Sequence, residues 1–122
     1  MAKTILIIED DQFLRELIVR KIINEGFSAL EAESGEQGIE KTKKEKPDLI
    51  LLDLMLPGIG GFEVLKKIKE DKNSSSIPII ILSNLAEPEE MEKGLKMGAV
   101  DFLIKAHLTP REIIDKIKSV LK

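Results

Sequence analysis

A chain of 122 residues has room for one domain, expected over 1–122, and little else. Without Cys it carries no disulfide framework, thiolate metal site or Cys nucleophile, and with a net charge of -3 and 3% aromatics it lacks the basic footprint and stacking surface of a nucleic-acid binder. No apolar run nears the roughly 18 residues of a membrane span, and no signal-like segment precedes the first apolar run, so the expectation is a cytoplasmic protein with no direct nucleic-acid or membrane contact.

Ile5-Leu6-Ile7-Ile8 is a short apolar run of the kind that forms a strand buried on both faces, and it ends at Glu9, Asp10 and Asp11. Asp11 is placed to cap a first helix, in which Phe13, Leu14, Leu17, Ile18 and Ile22 follow three-and-four spacing. Gly26 is placed to end it in a left-handed conformation. Residues 27–32 mix polar with apolar side chains, as an edge strand tolerates. Ser34 and Gln37 predict a capping box before a second helix. Leu49-Ile50-Leu51-Leu52 is a third strand that ends at Asp53, and Leu56-Pro57 with Gly58, Gly60 and Gly61 make a loop into the third helix. Ile79-Ile80-Ile81-Leu82 is a fourth strand ending at Ser83 and Asn84. The helix expected near 87–97 is polar and contains Gly94; its thin apolar stripe predicts the least firmly docked helix, closed by Gly98. Residues 100–104 form a second edge strand ending at Lys105. Thr109, Pro110 and Glu112 make an N-cap, a first helical position and a capping box for a last helix carrying Ile113, Ile114, Ile117, Val120 and Leu121.

Five strands alternating with five helices predict an α/β fold: a doubly wound parallel sheet, flavodoxin-like, in the order 2-1-3-4-5. Ligands of such sheets sit beyond the carboxyl ends of the strands, where Glu9, Asp10, Asp53, Ser83, Asn84 and Lys105 gather. Crowded carboxylates repel, and either one takes up a proton or a cation neutralises them. Hard oxygen ligands favour Mg2+, with Glu9 reaching it through water. Lys105 reads either as a solvated lysine or as a counter-ion and phosphate ligand. Alone, Ser83 reads as a turn residue. His107 has no partner pattern and reads as a solvated loop residue. The glycines fit no nucleotide-binding motif.

Four segments in order resemble the receiver domain of two-component response regulators over essentially the whole chain: 5–11, 48–58, 79–84 and 98–105. The resemblance implies that Asp53 accepts a phosphoryl group from a phosphohistidine on a sensor histidine kinase or histidine phosphotransfer protein. It implies Mg2+ held by Asp10, Asp53 and the Met55 carbonyl, with Glu9 acting through water. Lys105 and Ser83, with Asn84 beside them, would bind the phosphoryl group, and Phe102 would be an aromatic switch that turns inward when Ser83 moves, controlling a downstream protein. Such a chain is not an enzyme in the usual sense; it catalyses only its own phosphorylation and dephosphorylation.

Two positions depart from the family pattern. Ala106 stands where a proline usually follows the lysine through a cis bond; a cis bond to a non-proline costs about 3–4 kcal/mol, which weighs toward trans. Gly60 stands where Asp or Asn is frequent, at a cost of a few tenths of a kcal/mol as an N-cap. Ala106 motivates the alternative of a pseudo-receiver that interacts without phosphate. A small enzyme on the same topology is a third possibility, weakened for flavin chemistry by the absence of Trp and Tyr.

Overall fold

The computed structural model describes residues 2–84 and 87–121. Its elements run β1 (Thr4–Ile8), α1 (Gln12–Asn24), β2 (Ser28–Ala32), α2 (Gly35–Glu45), β3 (Leu49–Leu52), α3 (Gly61–Glu70), β4 (Ile79–Ser83), α4 (Pro88–Lys96), β5 (Asp101–Ile104) and α5 (Pro110–Val120). The strands form one parallel sheet in the order β2-β1-β3-β4-β5. Ile and Leu fill β1, β3 and β4 because these strands are covered on both faces, and β2 and β5 lie at the edges with partly exposed positions.

Alternation along the strands divides the core into two layers. Leu6, Ile8, Ile50, Leu52, Ile79 and Ile81 pack with Val64, Leu65 and Ile68 of α3, with Ile39 of α2 and Met91 of α4 at the margin. Ile5, Ile7, Leu49, Leu51, Ile80 and Leu82 pack with Ile18 and Ile22 of α1 and Ile113, Ile114 and Ile117 of α5. Each fully buried Ile or Leu contributes about 1.5–3 kcal/mol relative to exposure.

The cap at Asp11 accepts from the Leu14 amide, and the Thr109–Glu112 capping box is complete. Gly26 and Gly98 take the left-handed backbone expected of them. Three local expectations are corrected. Phe13 does not join the buried face of α1: it is 81% exposed, because the stripe that faces the sheet runs through Arg15, Ile18 and Ile22. The box at α2 is half-formed. Ser34 accepts from the Gln37 amide, but the Gln37 side chain accepts from Glu33, one residue outside the cap. His107 lies in a 3-10 turn (Lys105–His107), although it is exposed as expected. An unforeseen feature is Lys46, which closes α2 with positive φ just before Pro47. Among α4 residues only Gly94 is buried. Among the described residues no helix is long and apolar enough to cross a membrane.

Candidate functional site

β1 and β3 are neighbours in register, Ile8 opposite Leu52, so the residues that follow them emerge side by side. Asp53 N–H donates to the Ile8 carbonyl at 3.0 Å and Glu9 N–H to the Ala32 carbonyl at 3.0 Å. These bonds extend the sheet by one residue and place both carboxylates beyond its carboxyl edge. Glu9 is 3% exposed and Asp53 4%, whereas Asp10 is open to solvent. One oxygen from each of the three lies within 4.8 Å of the others. Beside them opens a surface cavity of about 620 Å³, also lined by Met55, Asn84 and Lys105.

The carboxylates are held in place. Met55 N–H donates to Asp53 Oδ1 at 3.1 Å, and Asp11 N–H to Glu9 Oε2 at 3.1 Å. Lys105 Nζ is 3.1 Å from Asp53 Oδ2 and also pairs with Glu9. Burial pushes the Glu9 carboxyl up to about 7, with the neighbouring Asp53 charge acting in the same direction and Lys105 opposing them. Burial pulls the Lys105 ammonium down, but its hydrogen bond to Glu9 and the charges of Asp53 and Glu9 outweigh burial and leave it raised. Three acids share one ammonium, so negative charge is in excess and all the donors are hard oxygens. That set fits a hard divalent cation.

The predicted residues are only partly brought together. Glu9, Asp10, Asp53, Met55, Asn84 and Lys105 line one cavity. Ser83, the last residue of β4, is fully buried beside Ile104 and does not line it. Phe102 is buried in the layer beneath α3 and α4; a Cβ on Gly94 would lie 3.4 Å from its ring. The Lys105–Ala106 bond is trans, and Lys105 nevertheless reaches both carboxylates, so Ala106 does not withdraw the ammonium from the site.

One supporting residue escaped the sequence reading, and another, Gly61, expected in the loop, begins α3. Arg15 of α1 donates through Nη1 to the Glu9 carbonyl at 2.7 Å and through Nε to Glu31 at 3.0 Å. A lone cation between Leu14 and Ile18 was the available signal. Gly61, the first residue of α3, touches the site from below: a Cβ there would lie 2.5 Å from Leu54 Cα and 2.6 Å from the Asp53 carbonyl oxygen.

Known proteins resemble the chain throughout its length. It is 40% identical over 122 residues to the phosphate regulon transcriptional regulatory protein PhoB of Pseudomonas aeruginosa, covering all of this chain and 53% of that protein. It is 36% identical over 124 residues to the alkaline phosphatase synthesis transcriptional regulatory protein PhoP of Bacillus subtilis, covering all of this chain and 50% of that protein. The chain therefore spans about half the length of the curated relatives it matches. Among solved structures, the BeF3-activated N-terminal receiver domain of Klebsiella pneumoniae RstA superposes with a TM-score of 0.90 at 28% identity, over 98% of this chain and 99% of that one. The family described as response regulator receiver domain matches residues 5–118, which takes in every strand but the first residue of β1 and every helix but the end of α5. The carboxylate-lined edge thus sits in a fold matched almost end to end, and the chain belongs to the response regulator receiver domain family of two-component signalling.

Proposed function

We propose that the chain accepts a phosphoryl group on Asp53 from a phosphohistidine of a histidine kinase or phosphotransfer protein, in a reaction that requires Mg2+. The observation that carries this reading is the setting of Asp53: a buried carboxylate at the carboxyl end of a central strand, 3.1 Å from the Lys105 ammonium and grouped with Glu9 and Asp10. An Asp53 oxygen attacks phosphorus, the P–N bond to the imidazole breaks, and the departing imidazole keeps the bond's electron pair and takes a proton. Phosphoryl transfer asks mainly for positioning and charge stabilisation. Glu9, Asp10, Asp53 and the Met55 carbonyl would hold Mg2+, which lowers the repulsion between the anionic nucleophile and the anionic phosphoryl group. Lys105 supplies a fixed positive charge at Asp53 Oδ2, while the Met55 amide donates to Oδ1.

Afterwards the phosphoryl oxygens take Lys105 and Ser83 as partners, with Asn84 at the cavity wall. Two charge-assisted bonds at roughly 1.5–3 kcal/mol each supply about 3–6 kcal/mol. Inverting a 1:99 equilibrium takes about 5.5 kcal/mol, so the site can reset a two-state unit of Ser83, Phe102 and α4. The output passes to a downstream protein or effector. In this reading the chain turns over no separate substrate; it gains and loses its own phosphoryl group.

The test is intact-mass measurement after incubation with Mg2+ and a small phosphoramidate donor. The expected outcome is one phosphoryl adduct on the wild type and none on Asp53→Ala or when Mg2+ is chelated. Wild type without an adduct, or Asp53→Ala with an undiminished one, would overturn the reading.

A further inference from the structure

Arg15 is 8% exposed, a buried cation on a helix face that otherwise presents Ile18 and Ile22 to the sheet. A guanidinium is costly to bury unless its donors are used, and docking of α1 needs no charge. Its partners explain its place. Nη1 donates to the Glu9 carbonyl at 2.7 Å, while Nε is tied to Glu31 Oε1 at 3.0 Å. The Glu31 residue belongs to β2, and its carbonyl in turn accepts from Lys41 of α2. Arg15 is therefore anchored to the sheet edge at one end and grips the strand-to-helix turn at the other.

The gripped atom matters. Glu9 lies one residue past β1, and its amide is the last in that segment to donate to β2, at the Ala32 carbonyl. The Glu9 carbonyl belongs to the peptide that joins Glu9 to Asp10. Fixing that oxygen fixes the peptide plane, and the plane sets the directions in which the two side chains leave the backbone. Two of the three carboxylates in the cluster depend on it.

We infer that Arg15 is a positioning residue for the divalent-cation site: it touches neither cation nor phosphoryl group and acts by orienting the Glu9–Asp10 peptide. The inference rests on the Mg2+ reading given above. Groups of this kind, one step behind a ligand, typically change metal affinity by about 10–100-fold when removed.

The experiment is calorimetric titration of the full chain with MgCl2, alongside phosphoryl uptake from phosphoramidate across a range of Mg2+ concentrations. Arg15→Met is expected to weaken Mg2+ binding about tenfold or more, and Arg15→Lys, which retains one donor toward the carbonyl, to recover part of that loss. Uptake should need correspondingly more Mg2+ for half-saturation, yet approach the wild-type rate when Mg2+ is saturating. Ile18→Val, which loosens the same helix without touching the turn, should lower Tm and leave the Mg2+ constant unchanged. The inference is overturned if Arg15→Met binds Mg2+ as wild type does, or if Ile18→Val weakens binding as much. Should Arg15→Met fail to fold, Arg15→Lys decides: an unchanged Mg2+ constant overturns the inference, and a weakened one with a normal Tm supports it. Wild type that binds Mg2+ but takes no phosphoryl group overturns the phosphoacceptor reading alone, because the Mg2+ constants still decide the role of Arg15. Wild type that binds no Mg2+ overturns both.

Discussion

Glu9 is buried, sits beside the Asp53 carboxylate and is held by one ammonium, and burial is the strongest of these influences on its proton. Its carboxyl titrates near 7 in the folded chain, against an ordinary value of 4.5. Between those values the folded state binds more protons than the unfolded one, so stability falls as pH rises through that window. Metal-free protein is expected to lose Tm progressively between about pH 5 and pH 8. Glu9→Gln should flatten that slope and be the more stable form at pH 8, and thermal melts in chelator check both. Added Mg2+ should raise Tm more at pH 8 than at pH 5, since ligands must be deprotonated to bind. Asp10, Asp53 and Lys105 were legible in the sequence because charged residues closing apolar runs fall on one edge of a parallel sheet. Arg15 was not. Its essential partner is a backbone carbonyl, and every residue has one.

Helices meet the sheet closely where glycine allows it, and two of these helical glycines differ in kind. A Cβ on Gly61 would meet backbone, 2.5 Å from Leu54 Cα. A Cβ on Gly94 would meet the far end of Ile81, 2.6 Å from Cδ1. Backbone cannot rotate aside, so Gly61→Ala is expected to destabilise by about 1–3 kcal/mol. For Gly94→Ala the gain of up to about 1 kcal/mol in helix propensity offsets part of the strain. Urea denaturation of the two variants should show the first as clearly the worse. α4 buries little besides Gly94, and its cap at Glu87 makes no side-chain hydrogen bond. Its amides are expected to exchange with deuterium faster than those of α3, which buries Gly61, Val64, Leu65 and Ile68. The thin stripe of α4 could be read in advance because helical spacing exposes a shortage of apolar residues. The exposure of Phe13 could not. Phe13, Leu14, Leu17 and Ile18 satisfy helical spacing around more than one face, and only docking against β2 decides which face turns inward.

The whole molecule is one sheet between two apolar layers, and each layer takes alternate residues from the same strands. Ile117→Ala removes packing on the α5 side and Leu65→Ala on the α3 side, each at about 2–5 kcal/mol. The losses should add in the double variant, because the sheet lies between the two sites. Unfolding should nonetheless remain a single transition by circular dichroism, since neither layer persists without the strands. Which strands lie inside and which at the edges was readable at this scale from burial, since uniform apolar runs belong inside and mixed ones at the edges; the order among them needed the right-handed crossover rule and the doubly wound pattern as well. The path after Lys105 was less readable, because Ala106 leaves the backbone free where a proline would fix it; the chain takes a 3-10 turn there.

The four phenylalanines occupy four unlike surroundings. Phe13 stands in solvent, Phe27 leans on the α1–α5 layer, Phe62 lies 4.4 Å beneath the Lys93 ammonium, and Phe102 is enclosed between β4 and α4. Ring fluorination of this amino acid alone would therefore place one spectroscopic label in each setting. A chain that offers no indole or phenol as a native probe would then report, through the Phe62 and Phe102 resonances, how α4 sits on the sheet beside the carboxylate edge.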